Sequence, residues 1–129
     1  MQKLIVACIS VMALFSACTS SAQRFTGVCS NGYKGSTFSF TLSRDKKSVT
    51  DVEFKGYWTC SGRTENTISG PTKPIPVING VAKFKGSEKG EWFDVVINIA
   101  GTSANGTYRA AITGLSCDTY VLKWTAKAK

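Results

Sequence analysis

The chain has 129 residues, 43% of them hydrophobic and 19% charged, with sixteen Lys and Arg against eight Asp and Glu and no histidine. That size suits one domain with its own core, and the missing imidazole removes most nucleophilic triads, metallohydrolases and histidine-based acid–base pairs. The net charge of +8 is spread in ones and twos, as in Lys46-Lys47 or Lys83, Lys85 and Lys89, so the sequence has neither a nucleic-acid arm nor a basic helix; lysines on solvated strand edges, which discourage aggregation, account for it.

The N-terminus starts with Lys3, continues through an apolar run from Leu4 to Phe15 and reaches small residues at Ser16 and Ala17. A charged start, a short apolar core and a small-residue end define a secretory signal. The run is shorter than the roughly 20 residues that span a bilayer core. Two endings compete. Ser20-Ser21-Ala22 before Gln23 is an ordinary cleavage site, which makes 1–22 the leader and 23–129 the domain. The string Leu14 to Cys18 instead resembles a bacterial lipobox, which makes 1–17 the leader and Cys18 the lipidated residue. Acyl chains there, at roughly 0.8 kcal/mol per buried CH₂, would hold the protein on an outer or periplasm-facing membrane; without them it would be periplasmic or extracellular. A lipid on Cys18 is the membrane contact expected. Removing 22 residues from 129 leaves 107, and losing Lys3 leaves a net charge of about +7.

Beyond the leader, period-two alternation broken by Gly, Pro, Asn and Ser predicts short strands. A first strand covers Arg24 to Val28. Ser36 to Arg44 puts Phe38, Phe40 and Leu42 on one face, and Asp45-Lys46-Lys47 turns the chain. The next strand buries Val52, Phe54, Trp58 and Cys60 and exposes Glu53, Lys55, Tyr57 and Thr59. A polar strand spans Arg63 to Ser69. Pro71, Pro74 and Pro76 then assign their segment to an edge or crossover, although Ile75 and Val77 alternate toward a core. Asn79-Gly80 is a strong two-residue hairpin signal leading into Val81 to Lys85. Gly86 to Gly90 reads as a polar loop. The most apolar strand follows, with Phe93, Val95, Ile97 and Ile99 inward and Trp92, Asp94, Val96 and Asn98 outward. Asn105-Gly106 reads as a turn into Thr107 to Thr113, and Leu122, Trp124 and Ala126 line the inner face of the last strand. Seven or eight short antiparallel strands at steady spacing predict an all-β, two-sheet sandwich, with a small closed barrel as the alternative.

The mature domain holds Cys29, Cys60 and Cys117, so one internal bridge can form in three pairings, favoured by an oxidising compartment. Three isolated cysteines without histidine do not make a zinc site, and a thiol without an imidazole base is not a catalytic nucleophile. The eight acids fall mostly in turns or on outward strand positions; Glu91 and Asp94 flank Trp92 without a cleft signature. No catalytic, metal or cofactor residues are therefore assigned, and no cofactor or nucleic-acid partner is expected.

Several strings resemble the immunoglobulin-like β-sandwich domain of uncharacterised secreted bacterial proteins. They are Phe25-Thr26-Gly27, Phe38 with Phe40, Trp58 with Cys60, Ile75-Pro76-Val77 with Asn79-Gly80 and Phe84, Gly106-Thr107, Cys117, and Trp124-Thr125-Ala126. They cover nearly the whole mature chain. The resemblance implies an exported immunoglobulin-like sandwich and a disulfide between Cys60 and Cys117. It implies no activity, since a shared fold does not fix function.

Exposed aromatics carry the functional expectation. Tyr57 and Trp92 point outward by alternation, and Tyr33 and Tyr120 lie in or beside loops. Such rings stack on sugars or anchor protein interfaces. The chain is expected to be a non-enzymatic envelope or secreted module that binds a protein or a cell-surface polysaccharide. The alternative is an inhibitor of a hydrolase that inserts the Gly86 to Gly90 segment into a cleft.

Overall fold

A computed structural model describes residues 21–129; Cys18 and most of the expected leader lie outside the described residues. The alternation read from the sequence becomes ten strands: β1 Gln23–Cys29, β2 Thr37–Leu42, β3 Ser48–Cys60, β4 Arg63–Ser69, β5 Ile75–Ile78, β6 Val81–Glu88, β7 Glu91–Ala100, β8 Ser103–Ile112, β9 Cys117–Asp118 and β10 Leu122–Ala128. A 3-10 turn, Thr113–Leu115, lies between β8 and β9.

All ten belong to one hydrogen-bonded antiparallel sheet, in place of the two sheets and seven or eight strands expected. The ladders run β1–β2–β3–β5–β6–β7–β8–β10, and β10 pairs both β8 and β1, so the path returns to its start. Strand β3 carries the extra connections. Its thirteen residues are long enough to pair β2 and β5 along the first half and β4 and β9 along the second. Alternation within one strand cannot reveal how many neighbours it has, because period two reports faces and not edges.

Phe38, Phe40, Phe54, Val95, Ile97 and Trp124 are buried as expected, and Phe25, Val49 and Tyr108, which the sequence reading did not place inward, are buried with them, each large side chain contributing roughly 1.5–3 kcal/mol of transfer free energy. Aromatic rings dominate the centre: Trp124 stacks on Phe38 at 4.3 Å, Phe25 on Phe40 at 4.8 Å, and Tyr108 on Phe54 at 5.2 Å.

Three turn and edge assignments change. Gly86 to Gly90 is not a loop: β6 continues through Glu88, and Lys89 and Gly90, both with positive φ, make a two-residue turn. The chain end of this hairpin is tied down by Glu88, whose carboxylate accepts the Thr72 and Lys73 backbone N–H groups and the Thr72 hydroxyl. Asn79-Gly80 forms the expected hairpin turn, again with φ positive at both residues. Asn105-Gly106, by contrast, sits inside β8, and the chain reverses earlier, at Gly101-Thr102. Gly106 serves packing. A Cβ there would collide with the Val96 carbonyl oxygen and come within 2.8 Å of the Trp124 ring. Finally, β5 has neighbours on both sides, but its ladder to β6 covers only Val77↔Ala82 and Ile78↔Val81. It stops at Pro76, which has no N–H to continue it.

The strands place two ends of the molecule. At the base lie residue 23, the turns 43–47, 79–80 and 101–102, and Lys129, whose N–H donates to the Arg24 carbonyl. At the apex lie the 30–36 loop, the Ser61-Gly62 and Lys89-Gly90 turns and the 113–121 segment.

Candidate aromatic binding strip

Near the apex, outward-facing residues of five strands fall in one cross-strand row. Trp92 on β7 is opposite Ala111 on β8, Ala111 opposite Asp118 on β9, Asp118 opposite Thr59 on β3, and Thr59 opposite Thr64 on β4. Four inter-strand spacings of about 4.8 Å make the row roughly 19 Å long. The two-residue strand β9 holds the row together, because it bridges β8 to β3.

Arg109 occupies the centre of one half of the row. It stands on β8 opposite Asp94 of β7, two residues before Ala111 on the same strand face. Its Nε donates to Asp118 Oδ1 at 3.0 Å and its Nη2 to Oδ2 at 2.7 Å. Its guanidinium carbon lies 5.6 Å from the Trp92 ring centroid and 6.0 Å from that of Tyr120. These residues line an open groove of about 480 Å³. The bonds from Arg109 hold the Asp118 carboxyl below its ordinary range, and the same bonds raise the Arg109 guanidinium. An ion pair this exposed is worth only ~0–1 kcal/mol. Its effect is positional: a bidentate fork fixes the plane of the guanidinium.

The segment after β9 is also held in place. Tyr120 has φ 57, uncommon for a bulky residue. Its N–H donates to Asp118 Oδ1 at 2.7 Å, and its carbonyl accepts the Thr119 hydroxyl at 2.9 Å. The Thr119 oxygen in turn accepts the buried Ala110 N–H. Next to this turn, Cys60 and Cys117 form a disulfide between directly opposed residues of β3 and β9, with Cα atoms 4.0 Å apart.

The other half of the row carries Tyr33 and Tyr57. The Tyr33 hydroxyl lies 3.2 Å from Thr59 Oγ1 and accepts from Thr64 Oγ1 at 3.1 Å, bonds that lower its pKa. The Tyr33 and Tyr57 rings meet edge to face at 6.1 Å. Tyr57, Lys55, Asn66 and Ile68 line a second groove of about 480 Å³. The structure thus places all four aromatics singled out from the sequence, Trp92, Tyr120, Tyr33 and Tyr57, along one strip. Sequence reading missed the residues that join them: Arg109, Asp118, Thr59 and Thr64. Each is a polar residue in a strand or turn, and only the β9 bridge brings them into line.

Two polar features lie away from the strip. Glu91 turns from Trp92 toward Ser69, which also bonds the buried Tyr108 hydroxyl at 2.8 Å; burial raises the Glu91 pKa, and its Oε1 has no partner. Burial likewise raises the Tyr108 hydroxyl. Among the described residues Cys29 is the free cysteine, and burial pushes its thiol up to about 11. Among the described residues no three His, Cys, Asp or Glu side chains cluster to hold a metal ion, and no helix is long and apolar enough to cross a membrane.

Comparison of the chain with protein-family models, with curated proteins and with solved structures finds no match in any of the three.

Proposed function

We propose that this chain is an exported, non-enzymatic module that holds a cell-surface polysaccharide along the strip from Trp92 to Tyr33. The carrying observation is the continuous outward row Trp92, Ala111, Asp118, Thr59 and Thr64, with Arg109 fixed between two aromatic rings. Aromatic faces stack on the apolar faces of sugar rings, and a fixed guanidinium, carboxylate and hydroxyls supply directional hydrogen bonds. A length of roughly 19 Å suits an extended polymer. The leader read from the sequence supports export, and a lipid on Cys18 would keep the module at a membrane. The closed circuit of ladders supports reading the domain as a small closed barrel in place of the immunoglobulin-like sandwich expected from the resemblance.

Titration calorimetry with solubilised cell-wall polysaccharides tests the proposal. Binding is expected, with Trp92→Ala and Arg109→Ala each weakening it about tenfold or more while the far-ultraviolet spectrum stays unchanged. Wild-type affinity in both variants, or no binding to any polysaccharide, would overturn it. The inhibitor reading is the weaker one, because the segment it relied on is a strand pair closed by a two-residue turn and tethered through Glu88.

A further inference from the structure

The basic residues are dispersed in sequence but not in space. At the base, the exposed Arg44, Lys46, Lys47, Lys127 and Lys129 and the partly buried Arg24 stand against two acids, Asp45 and Asp51, the second of which accepts an Arg24 guanidinium bond at its carbonyl. At the apex, Lys34, Arg63, Lys89, Arg109 and Lys123 are balanced by Glu65, Glu88, Glu91, Asp94 and Asp118. The folded chain is therefore polar in charge, with its excess at the end opposite the aromatic strip.

Two further features occupy the base. Ile78, next to the Asn79-Gly80 turn, is 68% exposed. Beside it, Leu42, Val77 and Ile99 line an apolar notch of about 240 Å³ with Lys46 at its rim. Ile78 and the notch are joined to the basic turn, because the Val77 N–H donates to the Lys47 carbonyl at 2.9 Å. The chain also enters the fold here. Gln23 is opposite Leu42 at the start of β1, only five positions after Cys18.

We infer that the base is a docking surface for an anionic phospholipid bilayer. Lysines at the same end of the fold as an exposed aliphatic residue match both layers of such a surface, charged headgroups outside and hydrocarbon beneath. Each basic residue near an anionic bilayer strengthens binding roughly fivefold, and an exposed aliphatic side chain adds apolar burial at the headgroup boundary. Docking at the base turns the strip near the apex away from the bilayer. This inference stands without any modification of Cys18; a lipid there would tether the same end to the same surface.

Residues 21–129 close their own ring of ladders around their own core, so this segment, with no leader and no lipid, is the material for the test. Co-sedimentation with vesicles of phosphatidylcholine containing 30% phosphatidylglycerol is compared with pure phosphatidylcholine vesicles at low and high salt. The expected result is at least tenfold stronger binding to the anionic vesicles, abolished in 0.5 M salt, where the Debye length falls to about 4 Å. The K46E/K47E/K127E variant should lose on the order of 100-fold, I78D should weaken binding severalfold, and the apex control K34E/K123E should bind as wild type. Equal binding to both vesicle types, no binding to either, or an equal loss in the apex control would overturn the inference.

Discussion

Opening the Cys60–Cys117 bond is expected to cost the fold on the order of 4 kcal/mol. The two cysteines are 57 residues apart in sequence, and for a loop of that length the chain-entropy relation gives about 14 cal/mol/K lost from the unfolded ensemble, or about 4.2 kcal/mol at 25 °C. That is a large share of the 5–15 kcal/mol typical of a single domain. Urea unfolding followed by tryptophan fluorescence reads it directly. With a slope of about 2 kcal/mol/M, reduction of the native protein should lower the midpoint by about 2 M. Reduction keeps both sulfurs in the structure, although the two thiols must separate beyond the bonded distance. The C60A/C117A variant should fall further, by roughly 1 kcal/mol, because both sulfurs are buried and their removal leaves unfilled space. A reduced protein whose midpoint moves by less than about 0.5 M would refute the reasoning, since it would mean that the unfolded chain is not constrained by this loop.

Gly106→Ala should destabilise by about 1–3 kcal/mol, because its Cβ meets the Val96 carbonyl and the Trp124 ring; a shifted near-ultraviolet tryptophan band would accompany the loss, and an unchanged urea midpoint would count against the packing argument. Asp118 and Glu91 should respond to pH in opposite directions. The native pKa of Asp118 is lowered, chiefly by its bonds from Arg109, so its stabilisation is complete above the ordinary aspartate range and fades as pH falls through the lower native value; Asp118→Asn should flatten the acid limb of a stability–pH curve. The native pKa of Glu91 is raised by burial, so its contribution is favourable in acid and lost as pH rises through that raised value. Glu91→Gln should therefore stabilise at pH 7, by a few tenths to about 1 kcal/mol after screening, and a destabilised variant would contradict the burial argument. Cys29, with its thiol pushed up to about 11 by burial, should react with a maleimide or disulfide reagent far more slowly in the native protein than in urea; equal rates would show that the site is open.

The faces of the strands follow from local residue order alone. Phe38, Phe40 and Leu42, then Phe93, Val95 and Ile97, were legible as inward because side chains alternate with a period of two whatever a strand pairs with, and Asn79-Gly80 was legible because a tight hairpin needs positive φ at both residues. The same local chemistry misled at Gly106, where glycine is required by a carbonyl of the neighbouring strand β7 and by the Trp124 indole of β10, and at Gly86, where a polar stretch is simply the exposed end of a strand pair. Of the candidate site, the aromatics Trp92, Tyr33, Tyr57 and Tyr120 could be named from alternation and loop position, but not their alignment, nor the parts played by Arg109 and Asp118. Those depend on which strand edges meet, and edge pairing is set by the whole closed circuit of ladders. The same holds for charge. Lys46, Lys47, Lys127 and Lys129 are far apart along the chain and become one surface only because β10 returns to lie beside β1, bringing the C-terminal end of the chain to the base where β1 begins and the β2–β3 turn lies.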